Sequence, residues 1–103
     1  MKLTTIIKAI KDNNVTSIIS DTQGDILPIT YVDCDEGTIK EGFIEFNADD
    51  YEENEPLTVE EALAEMEKYK DYDLITYVWN DDRHQVNGFK IDDGVMTLLT
   101  LAP

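Results

Sequence analysis

The segment Thr58-Val59-Glu60-Glu61 is the feature that most limits how this chain can fold. A threonine followed three residues later by a glutamate forms a capping box: the hydroxyl accepts from one orphan amide and the carboxylate reaches back to another. Behind it Val59, Ala62, Leu63, Met66 and Tyr69 recur at helical spacing, which predicts a helix from Thr58 to about Lys70. That helix separates the other apolar segments into two groups of three.

The first group follows a shorter helix over residues 4–13. Leu3, Ile6, Ile7 and Ile10 share one helical face, Thr4 or Thr5 supplies a cap, and Asn13-Asn14 closes the helix in a left-handed turn. Strands are then expected over 15–20, 26–32 and 39–46, with turns at Gln23-Gly24-Asp25 and Asp35-Glu36-Gly37-Thr38. Pro28 assigns the second of these to an edge or a bulge. In the third, Ile44 and Phe46 face one way and Glu41, Phe43 and Glu45 the other. The second group comprises strands over 74–79, 86–91 and 95–101, with a polar loop at Asn80–His84 and an Asp93-Gly94 hairpin turn. The order α-βββ-α-βββ describes one α+β domain over residues 1–103: two helices on a mostly antiparallel sheet of five to six strands. The second helix is expected to dock through Val59, Leu63 and Met66. No linker is visible, and no internal repeat beyond this loose symmetry.

Of the 103 residues 42% are hydrophobic, enough for one core. Charge is lopsided, with 23 Asp and Glu against 8 Lys and Arg, a net of −15. Such a surface repels phosphate and disfavours direct contact with nucleic acid or an anionic membrane. No apolar run approaches the roughly 18 residues of a membrane span. Met1–Lys11 is interrupted by Lys8 and lacks a signal peptide's apolar stretch. The single cysteine, Cys34, has no internal disulfide partner, which fits a reducing cytoplasm.

The charge is concentrated. Residues 33–73 hold 16 acids and 3 bases, a net of −13, while the other 62 residues carry −2. The densest part is Asp49-Asp50-Tyr51-Glu52-Glu53-Asn54-Glu55. On the second helix Glu61 and Glu65 are like charges four residues apart, as are Glu67 and Asp71 across its end. Two readings are open: a solvated stretch that keeps a small protein soluble, or a field held for a cationic partner.

Catalytic patterns are thin. There is no nucleophile elbow, no phosphate-cradling glycine loop and no paired-histidine metal motif. The lone His84 falls in the expected polar loop, where exposure is the ordinary outcome, and nothing places it beside Cys34. Asp33-Cys34-Asp35-Glu36-Gly37 begins like a calcium loop, but positions 5, 6 and 12 are Gly37, Thr38 and Ile44, which do not fit. No enzyme, cofactor or metal is expected.

Phe43, Phe46, Tyr51, Tyr69 and Tyr72 lie inside the acidic stretch. Carboxylates among aromatics suit an arginine-rich partner, because guanidinium pairs with carboxylates and stacks on rings. Phe46 and Tyr69 fit core positions. Tyr51 has only acidic and polar neighbours and is the expected packed contact.

In size, acidity and lack of a catalytic motif, the chain resembles the small DNA-mimicking inhibitors encoded by phages and other mobile elements, the anti-CRISPR proteins against type II effectors and the anti-restriction proteins among them. The residues carrying the resemblance are Asp49, Asp50, Glu52, Glu53 and Glu55, with Glu60, Glu61, Glu65 and Glu67 on the helix. Carboxylates four apart on a helix lie roughly 6 Å apart and can stand in for phosphates. The resemblance implies a non-enzymatic inhibitor in a bacterial host's cytoplasm. It would bind a basic, arginine-rich nucleic-acid enzyme such as a type II CRISPR effector nuclease. The alternatives are an immunity protein or antitoxin that neutralises a nuclease toxin, and an acidic interaction domain without a nucleic-acid-related partner.

Overall fold

The computed structural model describes residues 1–22, 24–33, 40–49, 55–78 and 83–100. Two helices and six strands follow the expected order. Helix α1 (Leu3–Asp12) buries Leu3, Ile6, Ile7 and Ile10, the face its spacing predicts. Neither Thr4 nor Thr5 caps it. Lys2 is the N-cap and offers no side-chain bond. Tertiary contacts satisfy the first amides instead: Leu3 N donates to Tyr72 O at 2.9 Å and Thr4 N to Lys70 O at 3.0 Å. Asn14, at φ 50°, supplies the left-handed turn after the helix.

Helix α2 (Val59–Lys68) starts with the complete capping box. Glu61 N donates to Thr58 Oγ1 at 3.1 Å, and Thr58 N donates to Glu61 Oε1 at 3.2 Å. Val59, Ala62 and Met66 are buried, whereas Leu63, expected as a docking residue, is only half-buried.

The strands are β1 (Ser17–Thr22), β2 (Asp25–Asp33), β3 (Phe43–Ala48), β4 (Asp73–Val78), β5 (Arg83–Asp92) and β6 (Val95–Thr100). Each pairs with the next, and β6 returns to pair with β1, so the sheet closes as a six-stranded barrel. Four of the six pairings are antiparallel. The two parallel seams are β3·β4, where α2 makes the crossover, and β6·β1. Closure overturns the edge reading of Pro28: β2 is paired on both sides, and its irregularity is a register shift between Ile29 and Tyr31. The Asp93-Gly94 hairpin forms as expected, with φ 51° and 81° suiting a two-residue turn.

The loose symmetry is a structural repeat. Residues 3–22 and 59–78 run in step, each a ten-residue helix, four connecting residues and a six-residue strand. The middle strands carry matching register shifts, Ile29/Tyr31 in β2 and Val86/Gly88 in β5. Leu57 N donates to Ile29 O at 2.8 Å, and Met1 N donates to Val86 O at the same distance. Asp73 N bonds Gly42 O and Ser17 N bonds Gly94 O, at glycines with φ 85° and 81°. The two αβββ halves therefore repeat one arrangement, and the repeat exchanges the two parallel seams, β3·β4 and β6·β1.

Inward strand positions and the buried helix faces form one core. Ile18, Ile44, Phe46, Leu74, Met96 and Leu98 meet Leu3, Ile6, Val59 and Met66. Polar groups inside are few, and Ser20 Oγ and Thr22 Oγ1 bond each other at 2.8 Å. His84 corrects the loop expectation: β5 begins at Arg83, and the alternation of that strand turns the imidazole inward, 4% exposed. No helix among the described residues is long and apolar enough to cross a membrane.

Candidate functional site

The register shift in β2 makes the most distinctive surface feature. Ile29 pairs with Ala48, but Tyr31 pairs with Asn47, so two residues on β2 oppose one step on β3. Thr30 is the extra residue. Its Oγ1 donates to Asp49 Oδ2 at 2.7 Å and lies 3.4 Å from Asn47 O. Without the bulge Tyr31 would follow Leu27 and Ile29 towards the core. With it the phenol faces outward, 60% exposed, one of two large apolar side chains so placed among the described residues.

Beside Tyr31 runs a groove between β2 and α2 of about 330 Å³. Val32, Leu57 and Ala64 supply its apolar surface, Tyr31 stands at one side, and Glu61 and Glu65 lie on the other. Capping uses one oxygen of Glu61: Oε1 accepts from Thr58 N and from Thr58 Oγ1, leaving Oε2 for another donor. Lys68 Nζ sits 3.1 Å from Glu65 Oε1.

The other acidic positions divide. Glu55 and Glu60 are exposed and form no ion pair among the described residues. Glu67 turns towards α1, where Lys11 donates to its Oε1 at 2.5 Å. That hydrogen bond, with the charges of Lys11 and then Lys70, holds the Glu67 carboxyl below its ordinary value of 4.5. Glu67 thus ties the helices together, whereas Glu60, Glu61 and Glu65 border open surface. Asp49 is held by Thr30. Asp50, Tyr51, Glu52 and Glu53 lie outside the described residues, as does Cys34.

Sequence reasoning missed Tyr31, Val32 and Leu57. Strict alternation assigns Tyr31 to the buried face, and only Pro28, three residues earlier, hinted at a bulge. It also missed Glu45, which is 4% exposed on β3. Arg83 Nε lies 2.7 Å from Glu45 Oε2, and its Nη1 lies 3.6 Å from Glu41 Oε2, so this buried carboxylate is neutralised from β5. No cluster of three or more metal-ligating side chains occurs among the described residues. No protein-family model matches the chain, no curated protein matches it, and no solved structure matches it.

Proposed function

We propose that this protein is a non-enzymatic inhibitor that offers an acidic surface to a basic, nucleic-acid-binding enzyme and occupies a site where phosphates would otherwise lie. The supporting observation is the outer side of α2. Within one helix Glu60, Glu61, Glu65 and Glu67 are set against one Lys68, a net of −3 with Glu67 turned to Lys11 and the other three on open surface, whereas the sister helix α1, with Lys8, Lys11 and Asp12, carries +1. Two copies of one backbone have opposite surface charge, so the fold itself does not require the acidity. Asp49 and Glu55 extend the field on the neighbouring segment, and Asp50, Glu52 and Glu53 add to it in sequence. A cationic partner relieves the repulsion among these groups and is drawn in by steering that salt weakens.

A type II CRISPR effector nuclease is the first partner to test, and a nuclease toxin the second. Capture from lysate identifies a basic enzyme, and competition then asks whether the protein displaces duplex DNA from it. Replacing Asp49, Asp50, Glu52, Glu53 and Glu55 together with Asn or Gln should cut affinity at least tenfold at low salt and flatten its salt dependence. A partner that binds DNA and this protein at once, or an unchanged affinity in the five-fold variant, would sink the reading.

A further inference from the structure

We infer that the groove between β2 and α2 is an anchor site for one arginine side chain of a protein partner, its guanidinium stacked on Tyr31 and paired with Glu61 and Glu65. This rests on the binding-protein reading above and assigns the chemistry of one contact within it. The groove combines three properties that match one side chain. Its apolar surface, Val32, Leu57 and Ala64, suits an aliphatic stem. Tyr31 presents a ring that a planar cation covers. Two carboxylates one helical turn apart complement the charge, and Glu61 Oε2 is open to a donor because capping occupies Oε1. At about 330 Å³ the groove is at the small end of ligand sites, suited to a side chain more than to a folded element. Lysine shares the charge but lacks the planar fork that stacks and pairs at once.

The repeat provides an internal control. Gly88 occupies the position after the bulge that Tyr31 occupies in β2, and Thr5 and Ala9 stand where α2 has Glu61 and Glu65. At these matching positions of the repeat the aromatic and the carboxylates are absent. Lys68 beside Glu65 is an intramolecular competitor for the incoming cation.

The test is an NMR titration of the isotope-labelled full chain with three probes: acetyl-Gly-Arg-Gly-amide, its lysine counterpart and its uncharged citrulline counterpart. The arginine probe should shift the Tyr31 ring and the Val32 and Ala64 amides first. It should bind at least threefold more tightly than lysine, and citrulline should not bind. Tyr31→Ala should weaken the arginine probe at least threefold, Tyr31→Phe should restore it, and Lys68→Gln should tighten it about twofold. Lys8→Gln on α1 removes the same charge and should change little. Shifts spread over the whole acidic surface, equal for arginine and lysine and unmoved by Tyr31→Ala, would overturn the anchor while leaving the acidic-binder reading standing. Groove binding together with failed DNA competition would do the reverse, and no shift with any probe overturns the anchor outright.

Discussion

The two halves of the molecule solve the same backbone problem by different means. Helix α1 is held by burial: Leu3, Ile6, Ile7 and Ile10 all enter the core, and carbonyls of residues 70 and 72 satisfy its first amides. Helix α2 buries smaller groups at two of the matching positions, Val59 and Ala62, and initiates itself through the Thr58–Glu61 box. A helix with its own start signal tolerates an outer face crowded with like charges better than one relying on packing alone. The difference teaches that α2 carries a local start signal that α1 lacks, and on the same backbone its surface chemistry departs from that of its sister.

The most severe way to break the comparison is at its core. Ile6 is fully buried where α2 has Ala62, and Ile6→Ala should cost about 2–5 kcal/mol by urea denaturation. The reciprocal Ala62→Ile should cost about 1–3 kcal/mol through overpacking. A neutral result for both would mean that the two helices do not share one filled core. Capping comes next. Thr58→Ala should cost about 1 kcal/mol. Lys2→Ser should gain less than about 0.5 kcal/mol, because α1's first amides are already bonded; a larger gain would show that those bonds are weak in solution.

The smallest effect is the pH response of the helix–helix tie. Glu67 has a folded value below 4.5, so as pH falls the unfolded carboxylate takes up its proton first. Stability from the Lys11–Glu67 pair is therefore complete above 4.5 and is lost as pH drops through the folded value. Glu67→Gln should lie below wild type near neutral pH and converge with it in acid. An offset that stays constant with pH would remove the pair from the account.

Local chemistry is what the sequence made legible. The apolar stripes, the capping box, the Asp93-Gly94 turn and the order α-βββ-α-βββ all depend on neighbours within a few residues, and all appear in the fold. Closure was not legible, because the β6·β1 seam joins residues such as Ser20 and Leu98 that share no local pattern. The groove was hidden for a related reason. One extra residue, Thr30, reverses the side to which Tyr31 points, and alternation read along the strand gives the opposite side. His84 failed in the other direction: a polar run suggested a loop, yet pairing with Thr76 makes it an inward strand position.

The parallel seam between β6 and β1 also sets a timetable. During synthesis β1 leaves the ribosome long before β6 exists, since Thr22 and Val95 lie at opposite ends of the chain's middle. At about 5–20 residues per second that interval is on the order of 4–14 s. Throughout it the backbone of β1 that β6 will cover has no strand to pair with, whereas the side of β3 that awaits β4 is covered as soon as Asp73–Val78 follows, well before β6 is made. A nascent chain with the β1 flank open for several seconds is a natural client for a chaperone. Slowing translation across β4–β6 should lower the soluble yield more than slowing it across α1.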